Sequence, residues 1–359
     1  MARIASITFA LALASAVAAQ NDKVRPGPWP TAAKIPPGWV VHNTKNYHVQ
    51  SEVGIEKAKR LGDHMEVMNI VYRKMFKPDK DGAKQQTIKL MKDEATYHAY
   101  GGPQGSAAYY MRSAREMVCY DSGRWSDEEP AKAPTTGAET PAQRRRRQME
   151  RLLESKMDLL GTAAHEGWHQ YFDWYVGSPV ELPSWIDEGM GDYFYAASPL
   201  RGKDQKKGAV ELGRLNFERL PIVIAARRQD ALAPIDKFLL MLQNEYYANP
   251  GLYYAEGWAL CQFMLHGANG KYAKLIPNYV RTIRSDSNWK VVTDKVFKGI
   301  DMAAMHQEFL AFCDTMKAGL PDPFADDEGE KPAGEGGEAG GTPTPTPQPG
   351  GAGTGTGGG

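Results

Sequence analysis

The sequence predicts an α+β fold, and two observations carry that prediction. Short alternating segments that read as strands mix with helical spacing up to about residue 125, whereas after residue 145 the apolar periodicity is almost entirely helical. Within the first part, Ile55 to Phe76 places Leu61, Met65, Met68, Ile70, Val71 and Met75 at helical intervals, the pattern of a helix packing on a sheet. Strands do not alternate regularly with helices, so a doubly wound parallel sheet is not expected.

Composition sets the outer bounds. The chain has 359 residues with 43 basic and 43 acidic side chains, so no net field attracts nucleic acid or a charged membrane. A hydrophobic content of 42% with eight Trp and seventeen Tyr supports a substantial core. Residues 1–19 read as a secretory signal: Arg3, an apolar run from Ile4 to Ala18, and small residues that place cleavage before Gln20 or Asn21. That run is too short to span a bilayer comfortably and no other long apolar stretch follows, so no stable membrane insertion is expected after cleavage. Export to the periplasm or the extracellular space is the expectation. Cys119, Cys261 and Cys313 fit no zinc-finger spacing; they read as small buried hydrophobes, with one disulfide left open.

In chain order, residues 20–37 form a Pro-rich linker ahead of one domain over 38–320. Trp39 to Glu52 predicts a hairpin or two short strands, Thr87 to Met91 a strand, Glu94 to Tyr100 a short helix, and Ala107 to Met111 with Glu116 to Tyr120 two strands joined by a tight polar turn. Residues 126–143 are a polar insertion. The Arg144–Arg147 run that follows is flanked by Glu128, Glu129, Glu150 and Glu154 and reads as a solvated helix start, not a nucleic-acid patch. Helices are expected over Ala209–Arg228 (kinked at Pro221), Ala233–Tyr247, Leu252–Leu265, Tyr272–Arg284 and Met302–Met316. Residues 321–359 collapse to Gly, Pro, Thr and acidic residues, a disordered tail.

The chemistry concentrates between Gly161 and Phe194, GTAAHEGWHQYFDWYVGSPVELPSWIDEGMGDYF. On a helix, His165 and His169 share one face a turn apart and can chelate one ion, with Glu166 between them. This is the HExxH pattern, in which two His bind zinc and the Glu is general base. Eighteen residues separate His169 from Glu188, which would complete a three-residue ligand set for one zinc ion per chain. Asp192, one turn beyond Glu188, is the candidate partner for the second ring nitrogen of His165. Ser184 and Asp187 read as a capping box that fixes the start of this second helix.

These residues carry a family likeness. HEGWH followed by WIDEGMGDYF resembles the gluzincin zinc peptidases, which use two His and a downstream Glu as ligands, and is most similar to a bacterial exported peptidase-MA-like group of largely unassigned substrate. The resemblance implies a zincin-like catalytic domain, with a small mixed sheet and an active-site helix followed by a helical C-terminal subdomain, and a cleft between the two. Tyr254-Ala-Glu-Gly257 resembles the Tyr-x-x-Gly helix of the aminopeptidase branch, which implies that Tyr254 stabilises the tetrahedral intermediate. A rival polar residue on the same helix is His266. The amine-binding Gly-Ala-Met-Glu-Asn stretch of that branch has no equivalent, which favours an endopeptidase. Ala107, Ala108 and Tyr109 stand on the corresponding edge strand and would bind an extended peptide by β-addition. The expectation is therefore an exported zinc metallopeptidase acting on a peptide or protein. The alternatives are a non-catalytic zinc-containing module of the cell envelope, or an aminopeptidase or amidase with the same site.

Overall fold

Alternate residues of the first strands are apolar, and they drive two strands whose common face turns inward: Tyr47 and Val49 are fully buried. The computed structural model describes residues 36–79, 85–125, 158–176, 180–199 and 210–316. Among them a five-stranded sheet is built from β1 (Val40–Asn43), β2 (Tyr47–Ser51), β3 (Gln86–Met91), β4 (Ala108–Met111) and β5 (Glu116–Tyr120), in the order β1-β2-β3-β5-β4. β2, β3 and β5 run parallel, and β1 and β4 are antiparallel edge strands, so the sheet is mixed. Helix α1 (Ile55–Met75) crosses over between β2 and β3 and sets Leu61 and Met65 against Val49, Ile88 and Leu90. Helix α2 (Glu94–Tyr100) covers the opposite face, where Tyr97 packs with Trp39, Met91 and Val118.

Helix α3 (Leu159–Val176) lies beside α1 on the inner face of the sheet. It is pinned by its backbone carbonyls, with the Tyr72 hydroxyl donating to Ala164 O at 2.6 Å and His64 Nε2 lying 2.9 Å from Leu160 O. Helix α4 (Ser184–Tyr195) crosses α3, and the helical half packs behind it: α5 (Leu220–Arg228), α6 (Ile235–Phe238), α7 (Gln243–Tyr246), α8 (Pro250–His266), α9 (Leu275–Ile283), α10 (Trp289–Val296) and α11 (Met302–Met316). A two-residue ladder, β6 (Ser198–Pro199) with β7 (Val210–Glu211), follows α4. The class is α+β with a small mixed sheet, as expected from the sequence.

Two helical expectations are corrected. Ala209–Arg228 is not one kinked helix: it opens with β7, turns at Gly213 with φ of 79°, and becomes helical only at Leu220, with Pro221 in the first turn. Proline there costs no hydrogen bond and starts the helix instead of bending it. Ala233–Tyr247 is two single turns, α6 and α7, because Leu242 adopts extended backbone (φ −74°, ψ 153°) between them. Helix α10 was not anticipated. The three cysteines are buried and free, so the disulfide left open by the sequence is not formed. The signal segment, the 126–143 insertion, the arginine run and the tail lie outside the described residues. Among the described residues no helix is long and apolar enough to cross a membrane.

Candidate metal centre and cleft

The site is assembled where α3 and α4 cross. Two glycines set how closely. A Cβ on Gly191 would sit 2.6 Å from the His165 ring, so this position lets the imidazole lie against α4. A Cβ on Gly189 would sit 2.5 Å from the carbonyl oxygen of Gly257, so α4 and α8 touch backbone to backbone. The E-G-M-G-D run thus presents Glu188 and Asp192 while its glycines admit a histidine on one side and a helix on the other.

His165, Glu166 and His169 form a group that can hold a metal ion. The two rings lie 5.0 Å apart, centroid to centroid. Each ring has one nitrogen held by its own carboxylate: His165 Nδ1 is 3.3 Å from Asp192 Oδ1, and His169 Nδ1 is 2.9 Å from Asp187 Oδ1. The other nitrogens converge on a single atom, Glu188 Oε2, at 3.1 Å from His165 Nε2 and 3.6 Å from His169 Nε2. Tyr247 donates its hydroxyl to Glu188 Oε1. Glu166 lines the cleft with them, and the backbone of Tyr110 weakly opposes the burial that raises its carboxyl.

The electrostatics follow from this crowding. Burial opposes a charged His165, but its hydrogen bonds to the Asp192 and Glu188 carboxylates overcome it and hold the imidazole up at about 9. Burial likewise opposes a charged His169, and Asp187 with Glu188 raises it well above the usual histidine value. Burial pushes Glu188 up, but the two imidazoles hold it well below the ordinary carboxylate range. Glu166 is raised, chiefly by burial. Asp192 is also gripped by Arg219 through Nε at 2.7 Å and Nη2 at 3.3 Å. Asp187, Glu188 and Asp192 thus crowd the two imidazoles, with Arg219 paired to Asp192.

Tyr254, on the first turns of α8, stacks its ring parallel to His165 (15° between planes, 6.5 Å between centroids), with the Arg219 guanidinium 5.2 Å from its centroid. Burial and the Glu188 charge push its hydroxyl far above the usual tyrosine value, so it stays protonated and able to donate. All these groups open on a cleft of about 750 Å³. Thr162, His165, Glu166, His169 and Phe172 form one stripe of α3 along it, and Ala107, Ala108 and Tyr109 line the opposite wall.

No protein family and no curated protein matches this chain. The site therefore rests on its own geometry.

Every site residue expected from the sequence borders this cleft. In the β4–β5 register Tyr109 faces Val118, and the Tyr120 N–H bonds Ala107 O. Odd-numbered residues of β4 thus pair inward, leaving the backbone of Ala108 and Tyr110 on the free edge. Tyr109 accordingly offers its side chain to α2, in contact with Tyr97, and not its backbone to a ligand. The capping box is corrected: Pro183 occupies the cap, Ser184 is already helical, and no side chain caps the helix. Asp187 is spent on His169 instead. His266 pairs with the Tyr193 hydroxyl at 2.8 Å and does not line the cleft. Sequence reasoning missed Asp187, Arg219 and Tyr247. Asp187 had a visible signal, a carboxylate beside Glu188 in the same first turn; the other two lie on connections whose course the sequence does not specify.

Proposed function

We propose that the chain is a zinc-dependent metallopeptidase that cleaves peptides bound in extended form, with His165, His169 and Glu188 as ligands, Glu166 as general base and Tyr254 as the hydrogen-bond donor to the developing oxyanion. The observation that carries this reading is the convergence of both Nε2 atoms on Glu188 Oε2. Ligands at about 2.0–2.1 Å from one tetrahedral zinc lie about 3.3 Å apart, and the separations here are 3.1 and 3.6 Å. A carboxylate on each distal ring nitrogen is the arrangement that orients histidine ligands and fixes their tautomer. The donor set of two imidazoles and one carboxylate suits zinc and leaves a position for water. Zinc bound there would supply a Lewis acid that brings a water to near-neutral pKa and polarises a carbonyl.

The protein's own groups do the rest. Glu166 has its pKa raised by burial, which suits a carboxylate that takes a proton and passes it to a leaving amine. It shares the cleft with Ala108 and Tyr110, whose backbone stands on the free edge of β4, where an extended substrate would add as a further strand. Tyr254, held protonated and parallel to His165, donates from the opposite wall. A binding module needs the metal but neither Glu166 nor Tyr254, so their presence on the same cleft favours turnover.

The test is incubation of the full chain with a complex peptide mixture, reading new termini by mass spectrometry beside Glu166→Gln. New internal termini with the wild type alone support the endopeptidase. Loss of single N-terminal residues moves it to an aminopeptidase. No difference, with zinc bound in both proteins, returns the binding module.

A further inference from the structure

One carboxylate of the cleft is neither a ligand, nor a base, nor a partner of either: Glu218, which precedes Arg219. The turn that delivers both is fixed before any substrate arrives. Buried Asn216 donates from Nδ2 to the Asp192 carbonyl at 3.2 Å, and its Oδ1 accepts the backbone N–H groups of Glu218 (3.1 Å) and Arg219 (3.3 Å). The two charged side chains then part. Arg219 is committed to both oxygens of Asp192. Glu218 turns to Tyr195, whose hydroxyl donates to Oε1 while accepting the backbone N–H of Asp158 at 3.3 Å. Among the described residues no group holds the other oxygen, and Glu218 is only half-buried, on the cleft wall beside Tyr195 and Thr162.

This places a carboxylate at one end of the cleft. Thr162 and Phe172 mark the two ends of the α3 stripe, ten residues and so about 15 Å apart, a length that takes four or five residues of extended peptide. The metal ligands lie between. At the Phe172 end the charged lining residue is instead a cation, Arg112, which lies 3.3 Å from Asp173.

We propose that Glu218 is a specificity-determining residue that selects substrates with a cationic group, a lysine or arginine side chain or a free amine, close to the scissile bond on the Thr162 side of the cleft. The proposal rests on the peptidase reading above. Tyr195 holds one oxygen of the carboxylate and so orients the other, which lets it pair with an ammonium or guanidinium without losing side-chain freedom. An acidic residue at that position would meet a like charge in a partly desolvated wall.

The test uses the full chain loaded with zinc and a panel of quenched peptides of one sequence. They carry Lys, Gln or Glu at each position flanking the cleaved bond, each with a free or acetylated N-terminus. The expected result is that, at one of these positions, Lys exceeds Glu by about tenfold or more in kcat/KM. The ratio should collapse in Glu218→Gln, whose amide oxygen can still accept from Tyr195, and invert in Glu218→Lys. Sensitivity to acetylation in place of side-chain charge, lost in the same variants, would assign the cation to the substrate's amine. Equal ratios in wild type and both variants would overturn the proposal while leaving the peptidase standing. If no peptide is cleaved, the peptidase reading fails first, and the specificity is read from binding. Fluorescence anisotropy with the same peptides should then show Lys bound more tightly than Glu by wild type and not by Glu218→Gln, and the absence of that difference overturns the proposal too.

Discussion

Tyr247 donates its hydroxyl to Oε1 of Glu188, the carboxylate whose other oxygen lies 3.1 Å from His165 Nε2. The bond joins the helical half to the candidate metal centre and fixes which oxygen of Glu188 faces the histidines. Tyr247→Phe removes it with little change of shape. Loss of such an outer partner costs about 10- to 100-fold in metal affinity. Competitive titration with a chromophoric chelator should show a drop in that range at unchanged melting temperature of the metal-free protein; an unchanged zinc affinity would remove Tyr247 from the site.

Metal binding should release protons. Without a cation, His165 is held up at about 9 and His169 well above its ordinary value, so both rings carry protons at neutral pH and surrender them to an ion. Apparent zinc affinity therefore rises with pH through the neutral range and up to about 9, where His165 gives up its proton. Calorimetry in buffers of different ionisation enthalpy counts the protons at pH 7. Binding with no proton release would contradict the electrostatic account.

The glycines of α4 are close-contact positions. Gly189→Ala drives a methyl to 2.5 Å from the Gly257 carbonyl, backbone that cannot rotate away. It should cost about 2 kcal/mol or more in urea unfolding. Gly251→Ala is the control, because nothing lies within 4 Å of its Cβ position and the site is helical. Alanine there should be neutral or stabilising by about 0.5–1 kcal/mol.

The parts of the fold legible in the sequence were those written locally. Met302–Met316, Glu94–Tyr100 and Glu116–Tyr120 coincide with α11, α2 and β5, because each carries its own periodicity and, for α2, a capping box at Asp93 and Thr96. The HExxH and Glu-x-x-x-Asp spacings likewise place five side chains by helix geometry alone. What stayed hidden depends on two elements meeting. Asp187 reads as a cap because Asp so often is one; only the crossing of α3 over α4 gives its carboxylate to His169. Leu240 and Leu242 lie in the Ala233–Tyr247 segment expected to be one helix, yet both are exposed beside the break that turns Tyr247 towards Glu188.

Glu256 gives a pH dependence of stability. Only 1% exposed, it lies on α8 with neither oxygen in a well-formed hydrogen bond, and burial pushes its carboxyl up to about 8, opposed weakly by the backbone of Ala233. The folded state thus keeps a proton that the unfolded chain gives up near pH 4.5. The contribution is complete below that value and is lost as pH rises through about 8, at about 1.4 kcal/mol per pH unit. Glu256→Gln removes the titration, so the stability difference between wild type and variant should drift in the variant's favour from pH 5 to pH 9. Parallel curves would show that Glu256 is ionised in the fold.

Two glutamates divide the labour in this proposed site, Glu188 holding the ion and Glu166 moving the proton. Zinc content and peptide hydrolysis, measured together on the wild type, Glu166→Gln and Glu188→Gln, test it most directly. One zinc per chain is expected in the wild type and in Glu166→Gln. Turnover in Glu166→Gln should fall by at least about 10²–10⁴-fold, and zinc should be lost from Glu188→Gln. Zinc lost from Glu166→Gln and retained by Glu188→Gln would contradict it, and would make Glu166 the ligand.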